Sequence, residues 1–240
     1  MLTGRPADIP PGGACAFQLP GDARCASQAR SLLTATMREL NFTADSIEDA
    51  KLAVSELATN AHAHAPSTSR PELWVWARTR PAPELVVSVF DTHCETWPVS
   101  HNADLLDEHG KGLAIVAALS SNTGTHHTRS RLTTSVGKCV WFTLTLPTGW
   151  PAAKRVIIPA VAAGRLSEVL RARGVPAACR CDDNGISLIN VGALNIWVEP
   201  NAFSWRSSQG YTRQPLIDLQ EVAERIVSCH ETASASASPA

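Results

Sequence analysis

The order of apolar and polar residues in the first hundred positions predicts two helices followed by two strands. Apolar residues recur every three or four positions over 21–40 and again over 47–64, which is the period of a helix with one buried side. Pro66 ends the second helix. In residues 72–80 two sets of side chains alternate, and residues 84–91 are apolar at nearly every position, so both segments are predicted to be strands. The two alternating sets in the first segment are Leu73, Val75 and Ala77, and Trp74, Trp76 and Arg78.

The remaining elements of this part complete a sandwich pattern. Residues 14–19 can form a short edge strand ahead of the first helix. Residues 92–109 have no sustained periodicity, and loops of this length in compact domains are usually functional or mobile. An apolar helix over 113–119 and a strand over 138–146 follow. This order predicts the fold class α/β (α+β), a two-layer sandwich of helices on a sheet.

A Pro/Gly-rich stretch after this pattern predicts a linker into a second, smaller unit. The predicted parts are a flexible N-terminus at 1–13, the main domain at 14–147, a linker at 148–153, a small α/β domain at 154–231 and a disordered tail at 232–240. In the small domain we expect strands at 154–158, 177–182, 186–191 and 194–198 and helices at 162–172 and 217–227. Asn184-Gly185 predicts a hairpin, and Trp197 and Trp205 are expected in the core.

The composition argues against nucleic acid and membrane partners. The 240 residues carry a formal net charge of -1, so the chain has no electrostatic attraction to nucleic acid or anionic lipid. No apolar run approaches the roughly 20 residues of a membrane helix, and the N-terminus lacks the pattern of a signal peptide. We therefore expect a cytoplasmic protein with no direct nucleic-acid partner and no membrane partner.

The cysteines are consistent with a reducing compartment. There are seven, an odd number, so they cannot all be paired in disulfides, and most are expected to be buried. Cys179 and Cys181 form a C-x-C pair without the second pair that a zinc site usually has. This pair alone does not favour a metal site.

The second predicted helix carries a line of polar residues opposite its apolar face. Glu56, Asn60 and His64 are spaced four residues apart, so they lie along one side of the helix. Carboxylate and amide oxygens are hard donors that suit a magnesium ion carrying phosphates, and the carboxylate can also take a proton. Considered alone, the line favours a solvent-exposed helix face over a ligand site.

Two further features point to a bound nucleotide. Asp91 ends a buried strand, where a carboxylate needs a donor, and the amino group of adenine is one. Gly110-Lys111-Gly112-Leu113 precedes a helix, where free backbone N–H groups and the helix dipole attract phosphate. A structural turn is the alternative for the glycines.

These motifs together resemble the Bergerat-fold ATPases of the gyrase, histidine-kinase and MutL superfamily. The resemblance rests on the Glu56 to His64 block, Asp91, the glycine block and the closing strand that follows Gly137. Within the superfamily the chain looks most like the anti-sigma-factor serine/threonine kinases of the RsbW type. The resemblance implies a mixed sheet with helices on one face and covers about residues 14–147. The cofactors implied are ATP and Mg²⁺.

The resemblance also implies a role for each matching residue. Asn60 would bind the magnesium ion, Glu56 would be the catalytic base that activates an acceptor serine, and Asp91 would hold the adenine amino group. The backbone of Gly110, Lys111, Gly112 and Leu113 would bind the phosphates, with Lys111 where the family often has Arg. Residues 92–109 would form a lid, His64 would be structural, and Gly137 is expected in a turn.

Two positions depart from the family pattern and leave alternatives open. His93 and Glu95 stand where the fuller form has glycines, and larger side chains there can narrow the adenine pocket. The leading hypothesis is a regulatory serine kinase that binds a sigma factor or similar regulator and phosphorylates an antagonist protein, with a homodimer implied. The alternatives are a catalytically degenerate protein-interaction module and a small-molecule ATP hydrolase. His126-His127 is expected on a surface loop rather than as a phosphoacceptor.

Overall fold

Two sheets form the framework of the structure, a computed structural model that describes residues 2–64, 70–93, 111–151, 157–181, 185–208 and 210–237. The first sheet comprises β1 (Leu2–Thr3), β2 (Ala14–Gln18), β3 (Glu72–Arg78), β4 (Glu84–Asp91), β5 (Asn122–Arg129) and β6 (Val136–Thr145). Its strand order is β1-β2-β3-β4-β6-β5. The accompanying helices are α1 (Cys25–Glu39), α2 (Ala44–His64) and α3 (Lys111–Leu119).

The helices α1, α2 and α3 form one layer and the sheet forms the other. Apolar residues of α2 and of the inner sheet face, such as Leu57, Val87 and Phe142, belong to one buried cluster. The predicted α/β sandwich is therefore confirmed. The predicted mixed sheet is wrong in one respect, because every described neighbouring pair is antiparallel. Strand β6 lies between β4 and β5, so β4 and β5 are not neighbours in the sheet.

The turn between α1 and α2 explains where these helices end and begin. Asn41 has φ 60°, a left-handed conformation that Asn tolerates better than most residues and that ends α1. The Thr43 hydroxyl accepts a hydrogen bond from the backbone N–H of Ser46, at 3.3 Å, and so caps the start of α2. Both helices are predicted correctly, to within a few residues at their ends.

The second sheet belongs to a smaller C-terminal unit. Its strands are β7 (Ala178–Cys181), β8 (Ser187–Val191), β9 (Leu194–Val198), β10 (Ala202–Ser207) and β11 (Gly210–Pro215). They are antiparallel and follow the order β11-β10-β9-β8-β7. Two helices, α4 (Pro159–Ala172) and α5 (Leu219–Ala237), complete the unit.

Helix α5 lies between the two sheets and has a different chemistry on each side. Its apolar side, which includes Val222 and Ile226, packs with α4 and the second sheet in one buried cluster. Its acidic side, which includes Glu221 and Glu224, contacts β3 and β5 on the outer face of the first sheet. The outer face of the first sheet is therefore covered by the C-terminal unit.

Glu224 is the most heavily engaged of these acidic residues. Its Oε2 accepts hydrogen bonds from Arg173 Nη1 at 2.7 Å and from Arg131 Nη2 at 3.1 Å, while Thr128 donates to its Oε1. The side chains of Glu224, Arg131 and Arg173 are all nearly inaccessible to solvent. Buried charges require such partners, so this network holds α5 in one place on the sheet.

Tryptophans on the outer sheet face supply the apolar part of the same interface. Trp74 stacks on Phe90 with ring centroids 5.2 Å apart. The Arg131 guanidinium lies over both Trp74, at 5.1 Å from the ring centroid, and Trp76, at 4.8 Å. These cation–π contacts stabilise the buried Arg131 guanidinium among the indole rings.

The ends of the chain are more ordered than predicted. Residues 1–13 are predicted to be flexible, but β1 pairs with β2, and Ile9 is buried with 1% of its surface exposed. Strand β2 is therefore not the edge strand. The predicted disordered tail is also wrong up to Ala237, because α5 continues through 232–237.

Two predictions about β5 and β6 are wrong. His126 and His127 are predicted on a surface loop but lie in β5. The sequence of this strand is mostly polar and lacks the apolar pattern by which strands are predicted. Gly137 is predicted in a turn but lies in β6 opposite Thr128. A Cβ at Gly137 would lie 2.2 Å from the backbone oxygen of Asp91, so this close approach requires glycine.

The C-terminal predictions are partly confirmed. The predicted hairpin is confirmed by the antiparallel pairing of β7 with β8, and Asn184 in its turn lies outside the described residues. Trp205 is in the core as predicted. The same prediction for Trp197 is wrong, because 48% of its surface is exposed. Strands β10 and β11 are not predicted, and most of the strand expected at 154–158 falls outside the described residues.

None of the helices in the described ranges combines the length and the apolar character that a membrane crossing needs.

Asp218 links the start of α5 to the turn after β3. Its carboxylate accepts hydrogen bonds from the backbone N–H of Thr79 at 2.8 Å, the Thr79 hydroxyl at 3.0 Å and the backbone N–H of Arg80 at 3.2 Å. Burial raises the pKa of Asp218 to about 6, although the hydrogen bonds from Thr79 oppose the rise, and nearby Glu221 adds to it. The folded chain therefore binds a proton here more tightly than the unfolded chain does.

We predict that Asp218 makes the stability of the chain depend on pH. The free energy of unfolding of the wild type, relative to Asp218→Asn, should be highest near pH 4 and should fall as pH rises to 7, by roughly 3 kcal/mol at most. Urea unfolding across this range measures it, and Asp49→Asn on the exposed surface of α2 controls for the lost charge. A constant difference between wild type and Asp218→Asn would contradict the prediction.

Candidate functional site

The polar side of α2 faces away from the core, as predicted. Glu56 and Asn60 lie one helical turn apart and are both half-buried. Between them Leu57 and Ala58 are buried in the core cluster. The core contacts of α2 therefore fix the direction in which the carboxylate and the amide project.

The glycine block meets Glu56 at the start of α3. A Cβ at Gly112 would lie 2.6 Å from Glu56 Oε2, closer than real contacts allow. Glycine at this position lets the N-terminus of α3 lie directly beside the carboxylate. The structure thus joins two motifs that are more than fifty residues apart in the sequence.

The first turn of α3 offers backbone donors at this point. The helix begins at Lys111, two residues earlier than predicted, so Gly112 and Leu113 lie within its first turn. The first N–H groups of a helix have no acceptor within it and, with the helix dipole, attract anions. Leu113 packs against the core cluster and anchors the turn. Gly110 and the Lys111 side chain lie outside what the structure describes.

Asp91 lies at the end of β4, and its carboxylate is already engaged. Its Oδ1 accepts a hydrogen bond from Lys138 Nζ at 2.9 Å and another from the backbone N–H of His93 at 2.8 Å. Asp91 and Lys138 are register partners in β4 and β6, and both side chains are about 5% exposed. The two residues therefore form a buried ion pair.

Lys138 is a site residue that sequence reasoning missed. A buried Asp91 is taken as a sign of an adenine donor, but Lys138 supplies a donor from within the chain. The available signal was that Lys138 is the one charged residue in the sequence of β6. Both hydrogen bonds that the structure describes at the Asp91 carboxylate go to Oδ1.

The residues present fit a nucleotide with magnesium. Glu56 and Asn60 offer hard oxygen donors, which Mg²⁺ prefers. Because Gly112 lacks a Cβ, Glu56 Oε2 can lie against the start of α3, whose backbone N–H donors suit a phosphate. Asp91 Oδ2 can accept from an amino group. In such a complex Asn60 would be the metal ligand.

Some predicted positions fall outside the described residues. These are 94–110, which include Glu95 and most of the predicted lid. His64 is the last residue of α2, and its side chain is not described. His93 is described, and its backbone carbonyl accepts a hydrogen bond from Lys138.

Comparison with known proteins identifies the family of the domain that contains this site. A family model described as a histidine kinase-like ATPase domain matches residues 19–144. This range includes both sides of the site, from α2 to β6. A search of curated proteins finds no match to the chain.

We predict that Gly112→Ala separates stability from activity. The new methyl group should displace the Glu56 carboxylate, so ATP turnover should fall at least tenfold. The free energy of unfolding should stay the same or rise by up to about 1 kcal/mol, because Ala favours a helix. Gly164→Ala in α4 is the matched control, since no atom lies within 4 Å of its added Cβ. Unchanged turnover in Gly112→Ala would show that the position of Glu56 is unimportant.

Proposed function

Because the chain belongs to the histidine kinase-like ATPase domain family, we propose that it is an ATP-dependent regulatory serine/threonine kinase of the anti-sigma-factor type. Family membership implies ATP binding. The proposal adds that the chain transfers phosphate to a serine of an antagonist protein and binds a sigma factor or similar regulator. A homodimer in the cytoplasm is the proposed form. The observation that carries the proposal is the position of Glu56 beside Gly112 at the start of α3.

This position gives Glu56 the role of a base next to the phosphates. The serine oxygen would attack the γ-phosphorus, and the bond between that phosphorus and the β–γ bridging oxygen would break to leave ADP. Glu56 would take the proton of the serine hydroxyl. Phosphoryl transfer depends mainly on positioning and charge neutralisation, which a carboxylate and helix N–H groups on rigid elements can provide.

Asn60 and Asp91 would hold the substrate rather than react with it. Asn60 would bind Mg²⁺, which neutralises charge on the phosphates. Asp91 would accept from the adenine amino group through Oδ2, while Lys138 holds Oδ1. The ion pair keeps the Asp91 side chain in one position, which favours selection of adenine over other bases.

A second candidate function is a protein-interaction module without phosphoryl transfer. The observation that favours it is that Lys138 already satisfies part of the Asp91 carboxylate. His93, in place of a family glycine, favours it as well. A third candidate, hydrolysis of ATP without a protein acceptor, would need Glu56 to orient water instead of serine.

We predict that ATP binding depends on magnesium through Asn60. Asn60→Ala should weaken ATP binding at least tenfold in the presence of Mg²⁺ and leave it unchanged in EDTA, because only the metal contact is lost. Calorimetric titration of the full chain measures both affinities. Asn195→Ala, on the exposed surface of β9, is the control. Equal loss with and without Mg²⁺ would exclude Asn60 as a metal ligand.

We predict that Glu56 is required for transfer but not for binding. With γ-labelled ATP and a soluble extract of the source cells, the wild type should place label on a serine, identified by mass spectrometry. Glu56→Gln should abolish this label and keep ATP affinity within threefold, because the amide cannot take the proton. Glu48→Gln, exposed on the same helix, is the control.

The products of this experiment distinguish the three candidates. Phosphoserine that depends on Glu56 supports the kinase. Release of inorganic phosphate at the same rate with and without extract would instead identify an ATP hydrolase. ATP binding without turnover in any extract would identify an interaction module.

A further inference from the structure

Three potential metal ligands meet on the outer face of the first sheet, opposite the nucleotide site. His126 of β5 and Cys139 of β6 are register partners, and Glu224 of α5 lies above them. His126 Nε2 lies 3.3 Å from Cys139 Sγ and 3.1 Å from Glu224 Oε1. Cys139 Sγ also lies 3.7 Å from the other ring nitrogen, Nδ1, so the sulfur lies beside the imidazole ring while the carboxylate oxygen approaches Nε2.

The distances suit a single tetrahedral ion. The three donor atoms all lie within 4.8 Å of one another. Bonds of about 2.3 Å to sulfur and about 2.0–2.1 Å to nitrogen and oxygen place the donor atoms of a tetrahedral zinc roughly 3.3–3.6 Å apart. A change in the orientation of the His126 ring or of the Cys139 side chain would bring all three donors to one ion.

The surroundings of Glu224 hold it in the orientation that a ligand needs. Arg173 and Arg131 bind mainly its Oε2, whereas Oε1 accepts a hydrogen bond from Thr128 and lies 3.1 Å from His126 Nε2. Outer-shell hydrogen bonds of this kind orient ligating carboxylates in known metal sites. Cys139 is fully buried, and its side chain has no access to bulk solvent.

The donor set selects the kind of ion. A thiolate, an imidazole and a carboxylate suit zinc and similar divalent transition metals rather than magnesium or calcium, which prefer oxygen. The Cys139 thiolate would offset one charge of the ion, and His126 would be a neutral ligand. The Glu224 carboxylate would be shared between the ion and the two arginines, Arg131 and Arg173.

A cavity beside His126 and Glu224 leaves room for a fourth ligand. It has a volume of about 880 Å³, lies between the first sheet and the C-terminal unit, and is lined by His126 and Glu224 among others. Metal sites with three protein ligands keep their fourth position for water or another small ligand. We propose that His126, Cys139 and Glu224 bind one zinc-class divalent ion whose fourth position opens into this cavity.

The test uses Co²⁺ as a spectroscopic probe for zinc. The full chain, reduced and treated with chelator, is titrated with Co²⁺, and a thiolate-to-cobalt absorption band should saturate at one equivalent. Zn²⁺ should displace the cobalt and remove the band. The band should be lost in Cys139→Ser, and circular dichroism verifies that this variant is folded.

A matched control separates this site from the exposed thiol pair. Cys179 Sγ and Cys181 Sγ lie 3.9 Å apart on β7 and could bind metal by themselves. The double variant Cys179→Ser/Cys181→Ser should keep the full band. A band that disappears in the double variant, or that persists in Cys139→Ser, would overturn the proposal.

A measurement on the wild type covers the case in which Cys139→Ser does not fold. X-ray absorption of the zinc-loaded chain should give one sulfur and two or three nitrogen or oxygen ligands. Two sulfur ligands, or none, would overturn the proposal. This test needs no nucleotide, so its outcome is independent of the proposed kinase activity.

Discussion

The carboxylate of Glu224, buried with Arg131 and Arg173, is the interaction on which the arrangement of the two units depends. Each charge is removed from water, and each is tolerated only because the others are present. Loss of one partner from such a cluster costs about 3–5 kcal/mol, which is a large share of the stability of a domain. The network therefore fixes α5 on the outer face of the first sheet more specifically than apolar packing would.

The alternation of side chains along β6 gives the two faces of the sheet separate chemistry. Lys138 points to the helix layer and pairs with Asp91, whereas the next residue, Cys139, points to α5 and His126. Neighbouring residues of a strand face opposite sides, so one strand serves both faces without sharing a side chain. The sheet face toward the proposed nucleotide site and the face toward α5 are therefore connected through the backbone of β6.

The elements that were predicted correctly are those that bury apolar residues with a clear period. Helices α1 and α2 and strands β3 and β4 have this pattern. The helical period of α2 also predicts that Glu56 and Asn60 lie on the same side of the helix. Strand β5 was missed because its sequence is mostly polar, and its outward side chains bond to α5 instead of water. Lys138 could not be assigned because its partner is 47 residues away in the sequence and is found only through strand register.

The outer face of the first sheet carries large side chains that are buried only because the C-terminal unit covers them. Trp74 and Trp76 are fully buried there, and their indole rings lie under the Arg131 guanidinium. Without α5, the sheet would expose these indole rings to water together with carboxylates such as Glu72. Exposed apolar patches of this kind favour aggregation. The ATPase domain of this chain therefore depends on α5, and a shortened protein that contains this domain would need to include α5.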